Sequence, residues 1–320
     1  MKAIQILETG GPEVMTVREV PLPTPAPGQV LIQVAASGVN FIDIYVREGR
    51  YANKPPFTPG QEAAGTIVAI GDGVENLKQG DRVAWCSVLG TYAEYALAPA
   101  ERVVAIPSSV RFEQAAAVML QGMTAHYLSH STYQICPGNE VLIHAGAGGV
   151  GLLLTQMAKA LGARVFTTVS TEEKAALSRD AGADVVVNYQ TNDFVAEIRK
   201  QSSGMHAVYD SVGKMTFEKS LSVLRPRGTL ALFGTASGQP PALEVPKLAP
   251  LGSLFVTYPI LPHHTATREE LEFRAAEVFQ GVSSGMLKLH QEHMYPLAEA
   301  AQAHRDLESR MTTGKLLLIP

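Results

Sequence analysis

The residues with the clearest chemical meaning are three glycines, Gly146, Gly148 and Gly151, which form the pattern G-x-G-x-x-G. They directly follow an apolar run at 141–145 and open a run with helical spacing. This context is typical of a dinucleotide site, because glycine allows a sharp turn, close approach of the backbone to a pyrophosphate and tight helix packing. Free N–H groups at the helix start then meet the anion. A turn without a ligand needs fewer glycines than these three and Gly149, so we predict a dinucleotide site.

The residue at the end of the next predicted strand indicates which dinucleotide binds. An NAD site usually places Asp or Glu there, about 20 residues on, to hold the ribose 2′-hydroxyl. Ser170 stands there instead, 19 residues after Gly151. Its neutral hydroxyl leaves room for a 2′-phosphate, with which Lys174 could pair. Alternatively, Ser170 and Glu173 form an S-x-x-E capping box and Lys174 is a solvated helix residue. Both interpretations can hold at once, and the pattern favours NADPH over NADH.

The elements that must carry these residues are of two kinds. Up to about residue 105, short β-branched or alternating runs are separated by Pro and Gly clusters, which predicts a β-rich, barrel-like module. These runs are 3–7, 14–20, 30–35, 66–70, 82–84, 92–97 and 103–106. After an Ala-rich helix at 112–130, apolar strands alternate with amphipathic helices, which predicts a parallel sheet with helices on both faces.

The second half of the chain completes this organisation. The predicted strands of the parallel sheet are 141–145, 164–169, 184–188, 207–211 and 228–233, and the helices are 149–161, 171–181, 193–201 and 217–224. After these come a helix at 268–284, a short strand near Met294, a helix at 297–307 and a last strand at 315–319. We predict an α/β protein in which a β-rich domain, residues 1–122 and 261–320, is interrupted by a doubly wound parallel-sheet domain, residues 123–260.

Composition excludes several classes of function. The 320 residues carry 26 Lys and Arg against 30 Asp and Glu, a net charge of −4 without a run of five like charges, which argues against nucleic acid as a partner. No window approaches the apolar length of a membrane span, and the start of the chain lacks the pattern of a secretory signal, so we expect a cytoplasmic protein. Cys86 and Cys136 are the only cysteines, which excludes a disulfide framework and a cysteine zinc site.

With these features in hand, the chain resembles the zinc-free quinone oxidoreductases of the medium-chain dehydrogenase/reductase superfamily, the group that includes zeta-crystallin. The resemblance extends over nearly the whole chain. Its motifs are GVNFIDIYVREGRY (38–51), PGQEAAGTI (59–67), KQGDRVA (78–84), QGMTAHYL (121–128), HAGAGGVG (144–151), NY (188–189), DSVG (210–213) and ESRMTTGKLLLIP (308–320). It implies a GroES-like β-rich catalytic domain and a Rossmann domain that binds NADPH.

The resemblance also implies an active site without zinc. Zinc-dependent relatives hold the metal with a Cys and a His at positions that resemble Asn40 and Gln61 here. Amides are poor zinc ligands beside thiolate and imidazole, so we expect no metal. The histidine pairs His263 with His264 and His290 with His293 lack cysteine or clustered carboxylate partners, and we interpret them as surface or packed histidines.

The residue roles that the resemblance implies form two sets. The catalytic candidates are Asn40, Asp43, Tyr45, Tyr51 and Gln61, among which Tyr45 or Tyr51 could donate a hydrogen bond to a developing oxyanion. Tyr51 could equally be a packing residue, and Arg310 could be a plain surface arginine. The cofactor-binding candidates are Asn40, Tyr45, Thr124, Gly146, Gly148, Gly149, Val150, Gly151, Ser170, Lys174, Tyr189, Ser211, Val212, Phe233, Gly234, Val256, Thr257 and Arg310.

Three functional hypotheses follow. The first is reduction of small quinones by NADPH, in which the protein only has to position partners that are already reactive. The second is reduction of an activated C=C bond in an enone, alkenal or enoyl thioester, since the cleft lining rather than the fold separates these reactions. The third, a non-enzymatic or RNA-binding role, is disfavoured by the acidic net charge. We also expect a homodimer formed through an outer strand near residues 254–258.

Overall fold

The computed structural model describes residues 1–290 and 293–320. These residues form two compact units. Unit 1 comprises Met1–Met123 and Thr265–Pro320, and unit 2 comprises Thr124–His264. Unit 1 is therefore built from two separate stretches of the chain, with unit 2 inserted between them.

The strands, in chain order, are β1 (Lys2–Ile6), β2 (Met15–Glu19), β3 (Gln29–Val39), β4 (Glu62–Ile70), β5 (Arg82–Cys86), β6 (Tyr95–Pro99), β7 (Val103–Ala105), β8 (Glu140–Ile143), β9 (Arg164–Val169), β10 (Val185–Asn188), β11 (Met205–Asp210), β12 (Leu224–Leu232), β13 (Phe255–Thr257), β14 (His293–Pro296) and β15 (Leu316–Ile319).

The α-helices are α1 (Phe41–Arg47), α2 (Phe112–Tyr127), α3 (Gly149–Ala160), α4 (Glu172–Asp180), α5 (Phe194–Gln201), α6 (Phe217–Ser222), α7 (Leu261–His264), α8 (Arg268–Ser284) and α9 (Ala300–Ser309). A π-helical segment, Leu128–Thr132, continues α2. Within the described residues, no helix combines the length and the apolar character that crossing a membrane requires.

Unit 1 is organised around a mostly antiparallel sheet with the strand order β14-β15-β3-β4-β5-β7, in which β6 also pairs with β3. The long central strand β3 buries Val30, Ile32 and Val34 against Trp85 and other apolar residues of β4, β5 and β6. The last strand, β15, is antiparallel to β3, so that the C-terminal stretch completes a sheet begun by the N-terminal stretch. The predicted β-rich module is confirmed.

Unit 2 is a parallel sheet with the strand order β10-β9-β8-β11-β12-β13. Numbered within the unit this is 3-2-1-4-5-6, the order of a doubly wound dinucleotide-binding fold, and the predicted fold class is confirmed. Its core packs Leu142, Phe166, Val208 and Leu230 from the central strands against Phe217 and other helix residues. The order reverses between β8 and β11, and ligands of such sheets bind at the carboxyl ends of the strands at this point.

The sequence patterns misplaced several elements. The strand predicted at 92–97 is β6 at Tyr95–Pro99, because the Tyr92 backbone bonds Ile4 and Pro59 instead of joining the ladder of β6. The helix predicted at 297–307 begins as a 3₁₀ turn, and its α-helical part is Ala300–Ser309. Helix α1 was not predicted, since its alternation of Ile and Val is typical of a strand.

A chain of buried polar side chains joins α1 to α9 within unit 1. Arg47 pairs with Glu308 at 2.7 Å, and its Nη1 lies 3.1 Å from Nδ1 of His304. Nε2 of His304 lies 3.1 Å from the Tyr92 hydroxyl, which donates to Oδ2 of Asp43 at 3.1 Å. Since arginine only donates, Nδ1 of His304 accepts and Nε2 carries the proton. From Arg47 through His304 and Tyr92, each hydrogen bond is therefore donated in the direction of Asp43.

Burial changes the pKa values of Asp43 and His304 in opposite directions. It raises the pKa of Asp43 to about 7, although the Asn40 N–H, Lys315 and the Tyr92 hydroxyl lower it. Burial and the Arg47 charge lower the pKa of His304 to about 3. Folding therefore binds a proton at Asp43 between about pH 4 and 7, and releases one at His304 between about pH 3 and 6.5.

We expect Asp43→Asn to change how stability depends on pH. The Asp43 carboxyl makes wild type lose stability as pH rises from about 4 to about 7, by a total of about 4 kcal/mol for a shift of this size. Asparagine does not titrate, so the variant should lose this fall and keep the rise with pH that His304 contributes. Urea unfolding at pH 4.5, 5.5, 6.5 and 7.5 measures the free energy of unfolding of both proteins.

The exposed Asp72 provides the control, since Asp72→Asn makes the same chemical change in solvent. That variant should follow the wild-type curve. Parallel curves for wild type and Asp43→Asn would contradict the prediction.

Candidate functional site

The loop between β8 and α3 has the conformation that its glycines predict. A Cβ at Gly146 would lie 2.6 Å from Cβ of Thr167 and 2.8 Å from Oγ of Ser178, and a Cβ at Gly151 would overlap the Ala145 carbonyl. These two glycines are therefore required by the packing of the loop against β9, α4 and itself. A Cβ at Gly148 would meet the Ala145 carbonyl oxygen at 3.2 Å. Gly148 is the position at which the fingerprint needs space for a ligand.

Helix α3 begins directly after this loop. Its N-cap is Gly148, which offers no side chain to the first N–H groups of the helix. The first N–H groups of a helix, here those of Gly149, Val150 and Gly151, have no acceptor within the helix and carry its positive dipole end. The loop, the helix start and the switch point of the sheet thus fit a pyrophosphate.

A buried polar network lies beneath the loop and joins the ends of three strands. Nδ1 of His144 lies 2.9 Å from Oγ1 of Thr168, and Nε2 lies 3.0 Å from Oγ of Ser220. Ser220 in turn donates to Oδ2 of Asp210 at 3.0 Å. Because the single hydroxyl proton of Ser220 goes to Asp210, Nε2 of His144 must donate and Nδ1 must accept. Burial lowers the pKa of His144, which keeps the ring neutral in this role.

Asp210 also holds the loop that follows β11. Its Oδ1 accepts the N–H groups of Val212 at 2.8 Å and Gly213 at 3.0 Å, and the hydroxyl of Thr216 at 2.9 Å. The adjacent loop after β12 comes close, because a Cβ at Gly234 would lie 2.8 Å from the carbonyl oxygen of Ser211. The carboxyl ends of these strands therefore bring four candidates to one edge of the sheet: Ser211, Val212, Phe233 and Gly234.

The candidates for the adenosine phosphate lie at the same edge. Ser170 follows β9 directly, and the Tyr189 N–H donates to the Val169 carbonyl at 3.0 Å. Lys174 lies in the first turn of α4 and is half-buried. The alternative capping box at Ser170 is wrong, because the N-cap is Thr171, whose hydroxyl accepts the Lys174 N–H at 3.2 Å. Ser170 is therefore not required as a helix cap.

The remaining candidates of unit 2 lie in α2 and β13. Thr124 is a buried residue of α2. Val256 and Thr257 pair with Leu230 and Ala231 in parallel β-structure. Arg310 belongs to unit 1, where it is the left-handed C-cap of α9 with φ of 61°. Its assignment to the phosphate pocket stays a prediction.

The catalytic candidates all belong to unit 1. Asn40 immediately precedes α1, and Asp43 in its first turn accepts the Asn40 N–H at 2.9 Å. Tyr45 is buried in α1, with its ring centre 6.0 Å from that of Tyr51, which is 46% exposed. Gln61 is half-buried and directly precedes β4. The structure therefore brings Asn40, Asp43, Tyr45 and Tyr51 together around one short helix.

Sequence reasoning missed the charged cluster that surrounds Asn40. The buried Lys315 ammonium pairs with Oε2 of the buried Glu62 and donates to Oδ1 of Asn40 at 2.8 Å. Glu62 also accepts from Nδ2 of Asn40 at 2.8 Å and from the Leu120 N–H at 2.6 Å. The available signal was the lysine in the apolar strand run GKLLLIP. A charged residue in such a run is rarely buried unless it is paired, so it indicates a buried partner.

Two other networks were also missed: the series that links Arg47 through His304 and Tyr92 to Asp43, and the network around Asp210. Asp210 and His144 lie in the motifs DSVG and HAGAGGVG, but neither was given a role, and Ser220 carried no sequence signal.

The structure describes no group of three or more His, Cys, Asp or Glu residues placed to hold a metal ion within 1–290 and 293–320. His264 stacks on Tyr127 with ring centres 4.3 Å apart, and His290 contacts the Thr313 hydroxyl at 3.0 Å.

Two protein families match parts of the chain. Residues 26–108 match the alcohol dehydrogenase GroES-like domain, and residues 149–274 match the zinc-binding dehydrogenase family. The first lies in unit 1, and the second begins at the start of α3 and includes strands β9 to β13 of the parallel sheet.

Full-length relatives are more specific. Quinone oxidoreductase 1 of Escherichia coli K12 is 42% identical, covering 99% of this chain and 99% of that protein. A 2-haloacrylate reductase of Burkholderia is 41% identical over 99% of this chain and 98% of its own. The crystal structure of Escherichia coli quinone oxidoreductase complexed with NADPH superposes with a TM-score of 0.98 at 41% identity, covering 100% of both chains. The chain therefore belongs to the quinone oxidoreductase family of the medium-chain dehydrogenase/reductase superfamily.

Proposed function

We propose that the protein is an NADPH-dependent quinone reductase that works without zinc. The observation that carries the proposal is the dinucleotide loop at Gly146–Gly151 followed by a neutral Ser170 and the cation Lys174, in a chain 42% identical to a quinone oxidoreductase. The NADPH complex of an Escherichia coli relative supports the same cofactor.

In this function unit 2 binds the cofactor. The N–H groups that open α3 hold the pyrophosphate, and Gly148 leaves room for it. Ser170, Lys174 and Tyr189 surround the adenosine 2′-phosphate. Ser211, Val212, Phe233, Gly234, Val256 and Thr257 border the nicotinamide at the strand ends, and Thr124 contacts its ribose or amide. NADPH supplies the hydride when bound.

The side chains around α1 act on the electrophile. A quinone is already reactive towards hydride, so positioning and hydrogen bonds to the developing oxyanion suffice. Tyr45 and Tyr51 provide phenol donors beside each other, and Asn40 and Gln61 provide amides. Asp43 is buried and acts on the site through the backbone of Asn40, whose N–H it accepts.

Reduction of an activated C=C bond is the second candidate. The observation that favours it is the 41% identity to 2-haloacrylate reductase, nearly equal to that with quinone oxidoreductase. The experiment is steady-state NADPH oxidation against 1,2- and 1,4-quinones, 2-haloacrylates, 2-alkenals and enoyl thioesters. The highest kcat/KM should be with a quinone, and a preference for any alkene would replace the first function with the second.

We also propose that the protein acts in the cytoplasm on small molecules. The free thiols of Cys86 and Cys136 suit a reducing compartment. The net charge of −4 gives no attraction to nucleic acid.

We expect Lys174→Ala to weaken the use of NADPH much more than the use of NADH. A charge-assisted contact to phosphate contributes about 1.5 to 3 kcal/mol, so kcat/KM for NADPH should fall about ten- to a hundredfold. NADH lacks the 2′-phosphate and should change little. The measurement is kcat/KM for both cofactors at fixed quinone. Lys200→Ala, at an exposed lysine of α5, is the matched control. An unchanged ratio of NADPH to NADH in Lys174→Ala would rule out the role.

We expect activity to survive removal of metal ions. Amide side chains, Asn40 and Gln61, stand at the positions that resemble zinc ligands, and the Asn40 amide already bonds Glu62, Gln121 and Lys315. Dialysis against a strong chelator should leave the rate of NADPH oxidation unchanged. A large loss that added zinc restores would contradict the prediction.

We propose a homodimer formed through β13 and expect light scattering at micromolar concentration to give twice the chain mass. β13 is the edge strand of the parallel sheet, and Phe255 and Tyr258 expose 61% and 46% of their surfaces. Pairing such an edge across a two-fold axis would satisfy its free backbone groups. Val256→Pro, which removes one N–H from the edge strand, should shift the mass towards the monomer. A monomeric wild type would refute the proposal.

A further inference from the structure

The side-chain amide of Asn40 is held by three neighbours in unit 1. Its Oδ1 accepts from Nζ of Lys315 at 2.8 Å and from Nε2 of Gln121 at 3.1 Å, and its Nδ2 donates to Oε2 of Glu62 at 2.8 Å. Lysine has no acceptor, and a carboxylate has no donor. The amide of Asn40 can therefore satisfy Lys315 and Glu62 in only one of its two orientations.

In this orientation the Asn40 side chain can make one further hydrogen bond. An amide oxygen has two lone pairs, and both are taken by Lys315 and Gln121. The amide nitrogen has two protons, of which Glu62 takes one. The second N–H is the hydrogen-bonding capacity that remains, so Asn40 can offer a donor to a ligand but no acceptor.

The cluster is fixed by burial and by close packing. Glu62 is fully buried, Lys315 is 3% exposed and Asn40 is 4% exposed. Oε1 of Glu62 is held by the Leu120 N–H of α2, which leaves Oε2 for Asn40 and Lys315. A Cβ at Gly38 would overlap Oε2 of Glu62 and lie 2.8 Å from Cε of Lys315, so glycine is needed beside the pair.

We propose that Lys315, Glu62 and Gln121 are positioning residues that hold Asn40 as a hydrogen-bond donor, whose second N–H meets a carbonyl oxygen of the bound electrophile or of the nicotinamide carboxamide. The inference rests on the proposed function. The Lys315 charge on the amide oxygen also polarises the amide and strengthens the N–H as a donor. The Lys315 cation thus strengthens the hydrogen bond to the ligand oxygen through the Asn40 side chain, without touching the ligand.

The decisive variant is the double substitution Glu62→Gln with Lys315→Met. Replacing both members of a buried ion pair strands no charge and is often neutral for stability. The new glutamine keeps its oxygen on the Leu120 N–H and turns its amide nitrogen towards Asn40. Asn40 must then present its oxygen to that nitrogen, which inverts the amide and places a lone pair where the second N–H was.

The inverted amide should weaken binding of the ligand whose oxygen it faces by about tenfold, because a donor is lost and two acceptors then face each other. If the partner is the electrophile, kcat/KM for 1,4-benzoquinone falls and the Kd for NADPH, measured by calorimetric titration, is unchanged. If the partner is the nicotinamide carboxamide, the Kd for NADPH rises. Changes in both quantities below about twofold, in protein whose circular dichroism matches wild type, would overturn the proposal.

A cycle with Asn40→Ala separates positioning from general structural damage. If the double substitution acts through Asn40, it should have little further effect in an Asn40→Ala background, because the amide it inverts is absent. Equal effects in both backgrounds would overturn the proposal. Failure of the proposed function is distinct, since wild type itself would then oxidise no NADPH with quinones, whereas the titration would still report on the carboxamide.

Gln121→Glu gives the answer if the double variant does not fold. It places an acceptor against Oδ1 of Asn40 without touching the ion pair. The attraction that Gln121 exerts on that oxygen becomes a repulsion, which loosens the hold on the amide and should weaken binding of the same ligand by about threefold or more. Gln280→Glu, an exposed glutamine of α8 in the same unit, is the control for the added charge. Identical behaviour of these two variants would contradict the proposal.

Discussion

Each unit contains a fully buried carboxylate at the end of a strand, and the surroundings of both are arranged to supply it with hydrogen-bond donors. Asp210 ends β11 and receives two backbone N–H groups and the hydroxyls of Thr216 and Ser220. Glu62 begins β4 and receives a backbone N–H, the Asn40 amide and Lys315. An unpaired carboxylate in these places would cost several kcal/mol, so the donors and the loops that carry them are fixed together.

This requirement connects stability to function in a specific way. The groups that satisfy Asp210 belong to the loop that follows β11, and through Ser220 and His144 the same carboxylate reaches the end of β8, where the glycine loop begins. The groups that satisfy Glu62 include the side chain at the start of α1. In both units, therefore, candidate site residues are held by a buried charge and not by apolar packing alone.

The sequence predicted the features that depend on neighbours in the chain. The glycine loop, β9 and α8 are specified by local spacing, and the last two have the predicted bounds, Arg164–Val169 and Arg268–Ser284. Helix α1 was missed because Ile42, Ile44 and Val46 favour a strand. The fold instead buries five consecutive residues, 43–47, on all sides of a helix whose start is fixed by the N-cap Asn40 and its capping-box partner Asp43. Lys315 and Glu62 are 253 positions apart, and no local pattern pairs residues at that distance. The resemblance identified Asn40 but not the three groups that orient it.

The division of the chain into a continuous and a discontinuous unit has a consequence for biosynthesis. Unit 2 is a single stretch, Thr124–His264, so all of its strands are available to each other before the last 56 residues are made. Unit 1 lacks both β15, which pairs with β3, and the Lys315 cation that Glu62 requires until those residues emerge. On the ribosome the parallel sheet can therefore fold first, while residues 37–39 at the end of β3 lack their partner strand and Glu62 lacks its cation.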